Sequence, residues 1–350
     1  MATHEVELTD PVDLCTPDGS RLNPAAIGWS RVPLHTANLR GRRLRTKKWD
    51  YWAVLAPDLA FSVTYANVGY LGIADMWWCE PSTGLVGGRP GPRPGGFGMH
   101  LPDRPGTAPL RVDGPGVKVS MVDDEGGTTI TAEWTEHGEA ASLDLRVDLP
   151  PGHESVNVVI PWDERTFQYT SKHQARPARG TMRVGDRTWG FGVPAGEERT
   201  SPDAAWGVLD VGRGRWPYST RWNWGGGAGV ATDGRTVVGL QFGGRWTEGT
   251  GATENGVIVD GRVTKIGDEL VWEYDWAHPM RPWRVRHRDG SLDVTLTPAH
   301  DRHSKANAVV LATEVHQVFG RWSGHVTDDS GTRYDVEGIL GFAEESVSRW

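Results

Sequence analysis

Two acidic side chains stand out because each lies beside a cluster of aromatic residues. Asp210 precedes the run RWPYSTRWNW (215–224), and Glu254 follows GGRWTEGTGAT (243–253), a glycine-rich stretch between two predicted strands. A carboxyl group buried against aromatic rings has a raised pKa and can act as a general acid or base. We therefore predict Asp210 and Glu254 as catalytic carboxylates, with Tyr218 and His173 as further catalytic candidates.

Residue alternation separates aromatic from polar side chains along three predicted strands. In RWNW (221–224), the tryptophans share one face and the arginine and asparagine share the other. The runs VWEYDW (271–276) and KKWDYW (47–52) alternate similarly, and KKWDYW weakly echoes RWNW, as two related β halves would. With the aromatic faces inward, the interior would be a ring-lined cavity for a hydrophobic ligand. With the polar faces inward, the buried charges would have to pair with one another.

The predicted substrate-binding residues come from these aromatic runs and from the neighbouring segments 209–221 and 243–255. The tryptophans could instead simply fill a β core. Arginines in the run LDVGRGRWPYSTR (209–221) would lie at the mouth of the pocket and orient a polar end of the substrate, or one of them could pair with Asp210. The predicted set is Arg213, Arg215, Trp216, Arg221, Trp222, Asn223, Trp224, Trp246, Asn255, Trp272, Glu273, Tyr274 and Asp275.

The sequence predicts neither a metal site nor a bound cofactor. The stretch HDRH places His300 and His303 three residues apart, but no third ligand lies nearby in the sequence. The tract GGGAG (225–229) is not followed by a helical pattern, so it is not typical of a dinucleotide-binding loop. Its glycines instead predict a sharp bend or a close approach between strands.

Strands must position these residues, because period-two alternation is the recurring pattern of the chain. SLDLRVDL (142–149) is one example, and Asp-Gly turns separate many such runs. The fold class is therefore predicted as all-β with few short helices, one of which could include HDRHSKANA (300–308) before a long strand, NAVVLATEVHQVF (307–319). The Gly/Pro-rich segment 82–109 is predicted as an extended loop, either a lid or wall of a site or a mobile surface excursion. We predict two domains, 1–165 and 166–350.

The composition of the chain limits the kinds of binding partner that we expect. The 350 residues carry a formal net charge of −8, which disfavours nucleic acid as the main partner. The two cysteines form no C-x-x-C pair, and the sequence shows no signal peptide and no apolar run of about 18 residues. We expect a cytoplasmic protein whose partner is a small-molecule ligand or substrate; its oligomeric state is left open.

Four segments carry a resemblance to a known family: residues 44–72, 210–229, 239–261 and 271–285. They resemble a bacterial family of uncharacterised proteins with a domain of unknown function, over a span from about Pro24 to Trp350. More distantly, the chain is similar to the calycin-like carotenoid hydratases (hydroxyneurosporene synthase) and to lipocalin-like polyketide cyclases. This resemblance implies two tandem lipocalin-like β-barrels with a hydrophobic pocket at or between them. It also implies cofactor-free hydration, elimination, isomerisation or cyclisation, and it carries over no catalytic residues.

Three functions remain open at this stage. The first is a cofactor-independent enzyme that acts on a largely apolar small molecule, with Asp210 or Glu254 as the acid and tryptophan faces stabilising positive charge. The second is a lipid- or pigment-binding protein without turnover. The third is a carbohydrate-active enzyme that pairs Glu254 with Asp210 or Glu273. A closed, carbon-lined cavity favours the first two, and an open, charge-rimmed cleft favours the third.

Overall fold

The computed structural model describes residues 4–308 and 311–349 and is built almost entirely of strands. The predicted all-β fold class is confirmed, and the described helical content is one 3₁₀ turn at Pro24–Ala26. The outer limits of the predicted domains, residues 1 and 350, lie outside the described residues. Within these residues, no helix has the length and apolar character needed to cross a membrane.

The strands divide along the chain into an earlier and a later group. The earlier strands are β1 (Val12–Asp13), β2 (Trp29–Ser30), β3 (His35–Thr36), β4 (Thr46–Leu55), β5 (Ala60–Asn67), β6 (Leu71–Glu80), β7 (Leu85–Arg89), β8 (Pro92–Pro94), β9 (Leu110–Gly114), β10 (Val117–Asp124), β11 (Gly127–Glu136), β12 (Glu139–Asp148), β13 (Val156–Pro161), β14 (Phe167–Val184), β15 (Arg187–Phe191) and β16 (Ala205–Arg215). The later strands are β17 (Ser219–Val230), β18 (Val237–Gly244), β19 (Asn255–Val259), β20 (Arg262–Ile266), β21 (Val271–Glu273), β22 (Trp283–Arg286), β23 (Leu292–Ala308), β24 (Leu311–Thr327) and β25 (Arg333–Arg349).

Two antiparallel sheets contain nearly all of these strands. The first sheet has 14 strands, and its main path is β7-β6-β5-β4-β16-β14-β12-β11-β10-β9. The second sheet has 9 strands in the order β20-β19-β18-β17-β25-β24-β23-β22-β21. Each sheet curls into a half-barrel, so the two β halves expected from the sequence are present.

Each curled sheet encloses its own hydrophobic core, and a further apolar layer lies between the sheets. In β4, Trp52 and Val54 point into the core of the first sheet, whereas Ala53 and Leu55 pack towards the second sheet. The second sheet fills its own curl with large side chains such as the fully buried Trp322. Strand alternation therefore gives a central strand two buried faces, one inside its half-barrel and one between the sheets.

The predicted domain boundary near residue 165 falls inside the first sheet, between β13 and β14. Strands β14 and β16 pair with each other, and β16 also pairs with β4 near the start of the chain. The chain passes from the first sheet to the second between β16 and β17. The predicted boundary and the observed passage between the sheets differ because β16 pairs with β4, which is distant in the sequence. Local sequence patterns do not reveal such pairing.

The Gly/Pro-rich segment 82–109 contains more regular structure than its composition predicts. Strands β7 and β8 lie within it, and both pair with β6. The expectation of one extended loop is therefore corrected. The glycines fit this arrangement because Gly88, at φ +124°, lies against the main chain of β6, where a Cβ would be 2.2 Å from the Met76 carbonyl oxygen.

The region 300–319 also differs from its predicted form. HDRHSKANA is strand rather than helix, since it forms the end of β23. The predicted single strand 307–319 includes the end of β23 and the start of β24, which pair antiparallel with Ala308 opposite Leu311. Val309 and Val310 lie outside the described residues. The apolar and β-branched composition of the segment 307–319 correctly predicts strand. It does not indicate that the segment belongs to two antiparallel strands.

The glycine tract 225–229 lies in β17, where strands approach closely, as predicted. A Cβ on Gly226 would lie 2.4 Å from Nε2 of Gln174, a residue of the first sheet. A Cβ on Gly227 would lie 2.4 Å from the Leu340 carbonyl oxygen in the neighbouring strand. The tract thus lets the two sheets pack against each other beside the aromatic half of β17.

Candidate active site

A cavity of about 590 Å³ lies between the two sheets. Its wall comes from β4, β5, β6, β14 and β16 of the first sheet and from β17, β23, β24 and β25 of the second. The wall is mainly apolar, and it contains both charged and uncharged polar side chains. Among the described residues, the segment 82–109 contributes nothing to this lining, so it forms neither a lid nor a wall here.

The first sheet presents one continuous row of side chains to the cavity. Lys172, Asp210, Tyr51, Thr64 and Asp75 are successive cross-strand partners on β14, β16, β4, β5 and β6. Residues directly opposite one another in an antiparallel pair share a face of the sheet. All five residues therefore line the cavity, although they lie far apart in the sequence.

The second sheet presents a matching row. Trp224, Glu344, Gln317 and Arg302 are successive cross-strand partners on β17, β25, β24 and β23, and all four line the cavity. The row begins beside the glycine tract of β17. Because the two rows face each other, both half-barrels line the cavity, one on each side.

Contacts across the cavity join the two rows at three places. At one end, Arg302 Nη2 lies 3.0 Å from Asp75 Oδ2. In the middle, the Tyr51 hydroxyl lies 3.4 Å from Gln317 Oε1. At the other end, a lysine ammonium lies 4.4 Å from the centre of the Trp224 ring, a cation–π distance.

That ammonium belongs to Lys172, which holds together a buried charge cluster. Its Nζ lies 2.9 Å from Asp210 Oδ1 and 3.2 Å from Glu254 Oε2. Burial disfavours the charged ammonium, but the two carboxylates outweigh this effect and raise the pKa of Lys172. The cluster thus contains one cation and two acidic groups, and it brings together both carboxylates that the sequence singled out.

Each acidic group at this end of the cavity accepts a hydrogen bond from an indole N–H. Trp49 Nε1 donates to Asp210 at 3.1 Å, and Trp246 Nε1 donates to Glu254 at 2.9 Å. In the second sheet, the Nε1 of Trp222 donates to Glu344 Oε1 at 2.7 Å. The tryptophans therefore supply both ring faces to the cavity and hydrogen-bond donors to its carboxyl groups.

The acidic groups differ in their electrostatic surroundings. Asp210 accepts hydrogen bonds from Trp49 and Thr170 and contacts the ammonium of Lys172. Burial raises the pKa of Glu254 despite the nearby ammonium. Burial also raises the pKa of Glu344 to about 7, with the Trp222 hydrogen bond and the more distant Lys172 charge opposing it. Glu344 is therefore the group suited to exchange a proton near neutral pH.

Six of the predicted site residues line the cavity. The aromatic face of β17 points into it, which decides between the two orientations left open by the alternation pattern. The six residues are Asp210, Trp216, Trp222, Trp224, Trp246 and Glu254.

The arginines predicted at the mouth of the pocket do not lie there. Their side chains have structural partners elsewhere, outside the residues described as lining the cavity. Arg213 is fully buried and lies 2.7 Å from Asp50, so Asp210 pairs with Lys172 instead of an arginine. Arg215 is buried and donates to three main-chain carbonyls of the N-terminal segment. Tyr218 is exposed and also lies outside the cavity wall.

The polar face of β17 also points away from the cavity. Arg221 forms an ion pair with Glu345. The Nδ2 of Asn223 lies 3.0 Å from the Tyr274 hydroxyl, and the Tyr274 ring stacks on Trp283 at 4.1 Å between ring centres. These predicted binding residues therefore support the second sheet and do not line the cavity.

The remaining predicted binding residues stabilise loops and strand ends. The side chains of Asn255 and Trp272 both bond to the main chain of Gly243, at 2.7 and 3.2 Å. Strand β21 ends at Glu273, so VWEYDW does not continue as the predicted strand. Glu273 and Asp275 form exposed ion pairs with nearby arginines, outside the described wall of the cavity.

His173 also points away from the cavity. It follows Lys172 in β14, so alternation directs it to the opposite face. Its Nε2 lies 3.0 Å from Ser171 Oγ, and burial holds the pKa of its ring well below the ordinary value. His173 therefore does not line the cavity, whereas its neighbour Lys172 does.

Lys172, Glu344 and Trp49 are the main cavity residues absent from the predicted set. The signal for Lys172 and Trp49 is present in the alternation of β14 and β4, but strand pairing decides which face meets the cavity. Glu344 and Glu345 are adjacent, so one faces the cavity and the other faces Arg221. The sequence alone does not distinguish these two glutamates.

The whole chain matches a family model described as "Domain of unknown function (DUF2804)", over residues 5–350. The chain belongs to this family. Membership confirms the resemblance identified from the aromatic and glycine-rich segments. No curated protein matches the chain.

The chain is also similar to solved structures. One is CghA with Sch210972, at 12% sequence identity and a TM-score of 0.40, with 87% of this chain and 88% of that chain covered. Another is kievitone hydratase from Nectria haematococca, at 8% identity and a TM-score of 0.46, with 89% of this chain and 93% of that chain covered.

Proposed function

We propose that this protein binds a largely apolar small molecule between its two half-barrels and catalyses a proton-transfer reaction on it. Hydration, elimination, isomerisation and cyclisation all belong to this class, because each adds or removes a proton at the reacting carbon or oxygen. Proton transfer between such groups requires no redox cofactor. The observation that carries the proposal is a buried carboxyl group, Glu344, whose pKa is raised to about 7 in a carbon-lined cavity.

The shape and lining of the cavity support the apolar substrate. Its volume of about 590 Å³ lies within the range of ordinary small-molecule sites. Five tryptophans contribute to the wall, and aliphatic side chains such as Ile73 and Val315 complete it. This surface favours a carbon-rich molecule with few polar groups over a sugar.

The charge arrangement supports an acid and a base at one end of the cavity. Protonated Glu344 would donate its proton to an alkene or carbonyl group of the substrate. The faces of Trp222 and Trp224 would stabilise positive charge that develops on carbon. Asp210, which contacts Lys172 at 2.9 Å, would accept a proton from the substrate or from an attacking water. One proton is delivered and one is removed, so the reaction is balanced.

Deuterium exchange tests this proposal for every reaction of the class that delivers a solvent proton to carbon, and an elimination does so in its reverse direction, hydration. The small molecule extracted from the purified protein is incubated with fresh protein in D₂O, and its mass is followed over time. Isomerisation would add one deuterium for each solvent proton delivered to carbon, and hydration would add D₂O. The wild type is expected to label the molecule, and Glu344→Gln is expected to bind it without labelling.

A matched control is available on the same strand. Glu337 lies on β25 and is exposed, so Glu337→Gln should label at the wild-type rate. If wild type and Glu344→Gln both bind the molecule and neither labels it, the protein is a lipid- or pigment-binding protein without turnover. If both label it equally, Glu344 is not the acid.

A further inference from the structure

A second cluster of potential ligands lies on the β23–β24 hairpin, on the face that points away from the cavity. His303 and His316 are direct cross-strand partners, and Glu314 lies diagonally beside His303. One donor atom from each of these three residues lies within 4.8 Å of the other two. We propose that His303, Glu314 and His316 bind a divalent transition metal, with zinc as the best match.

The three side chains lie close enough to share one ion. The two imidazole rings are stacked, with 4.2 Å between ring centres and 4° between planes. His303 Nε2 lies 3.2 Å from Glu314 Oε1, so these two groups already meet at one point. In a tetrahedral zinc site, donor atoms are about 3.3 Å apart, and the stacked rings would turn so that the in-plane lone pairs of both point at the ion. Two imidazoles and one carboxylate form a donor set that suits zinc and leaves a fourth position for water.

Neighbouring side chains orient the proposed ligands. Asp301 Oδ2 lies 2.7 Å from His316 Nδ1, which leaves Nε2 as the metal-facing nitrogen of that ring. A carboxylate that holds the distal nitrogen of a ligating histidine is common in zinc sites. Lys305 Nζ contacts Glu314 Oε2 at 2.9 Å and leaves Oε1 directed at His303. Asp301 is therefore a positioning residue for the site.

Strand pairing explains why the sequence did not reveal this site. The pair His300 and His303 looked incomplete because the two ligands that accompany His303, Glu314 and His316, both come from β24. His300 is not part of the cluster, since its ring packs 5.8 Å from Trp77. The opposite face of the same hairpin carries Arg302 and Gln317 into the cavity wall. A bound metal would thus hold the two strands that form this wall.

Calorimetric titration of zinc chloride into the tag-free, chelator-treated full chain tests the proposal. We expect one zinc per chain, with affinity reduced about tenfold or more in His303→Gln and in His316→Gln. His303 is exposed, so its variant should fold even if His316→Gln does not. The matched control is His325→Gln, a half-buried histidine of β24 outside the cluster, which should retain wild-type affinity.

Asp301→Asn provides a separate test of the positioning role. It should weaken zinc binding about ten- to a hundredfold and leave the thermal midpoint of the metal-free chain unchanged. The proposal is overturned if the wild type shows no zinc binding, or if His303→Gln binds zinc as tightly as the wild type. Either result would make the cluster an ordinary set of cross-strand polar contacts.

Discussion

Replacing Glu344 by glutamine should change how the stability of the protein depends on pH. The wild-type carboxyl group has its pKa raised from 4.5 to about 7 by burial between the sheets. Below pH 4.5 the group is protonated in both the folded and the unfolded chain, so it does not alter stability there. Between pH 4.5 and 7 the unfolded chain loses this proton while the folded chain retains it. The free energy of unfolding therefore falls as the pH rises through this window.

The size of the effect follows from the shift. A difference of about 2.5 pKa units, at 1.36 kcal/mol per unit, corresponds to about 3 kcal/mol lost by pH 8. Glutamine keeps the acceptor for the Trp222 N–H but has no proton to lose. The loss between pH 4.5 and 8 should therefore be about 3 kcal/mol smaller in Glu344→Gln than in the wild type.

Urea unfolding followed by tryptophan fluorescence at several pH values measures this difference. Other buried acids, including Glu254, contribute equally to both proteins and cancel in the comparison. Glu337→Gln, on the exposed face of the same strand, should follow the wild-type curve. Parallel curves for wild type and Glu344→Gln would refute the reasoning, because they would mean that Glu344 ionises alike in the folded and the unfolded chain.

Three further variants test the contacts around the cavity. Lys172→Met should lower the free energy of unfolding by about 3–5 kcal/mol, because two buried carboxylates lose their cation. Urea denaturation at pH 7 measures this change. A loss below about 1 kcal/mol would contradict the expectation. Gly212→Ala should reduce binding of the apolar probe anilinonaphthalene sulfonate, since its Cβ would lie 2.2 Å from the Trp49 ring; unchanged binding would argue against this packing. Arg302→Met should cost about 1–3 kcal/mol by removing the ion pair with Asp75 between the sheets, measured by the same denaturation; a variant as stable as the wild type would show that the pair contributes nothing.

The sequence predicted the fold class and the shared face of the β17 tryptophans because both depend on local alternation. In β17, period two alone places Trp222 and Trp224 on one face and Arg221 on the other. The acidic residues Asp210 and Glu254 were recognised for their aromatic neighbours, and the structure places both beside Lys172. These inferences do not depend on which strands pair.

The rest of the site depends on register, which the sequence does not report. Lys172 and His173 are adjacent, and only the pairing of β14 with β16 puts the lysine opposite Asp210. The arginines of the run 209–221 looked like substrate ligands because their partners are distant in the sequence. Arg213, for example, finds Asp50 through the pairing of β16 with β4.

We expect the cavity between the half-barrels to hold an apolar small molecule. Native mass spectrometry of protein freshly purified from a producing cell, followed by denatured extraction, tests it directly. Ala66 lies on β5 and lines the cavity, so Ala66→Phe places a larger side chain in the space for a ligand. Ala140→Phe makes the same substitution at an exposed position of β12 and serves as the control. Wild type and Ala140→Phe should carry an isoprenoid, polyketide or fatty acyl species that Ala66→Phe lacks. A wild-type protein without bound apolar species, or an Ala66→Phe variant that retains it fully, would contradict the claim.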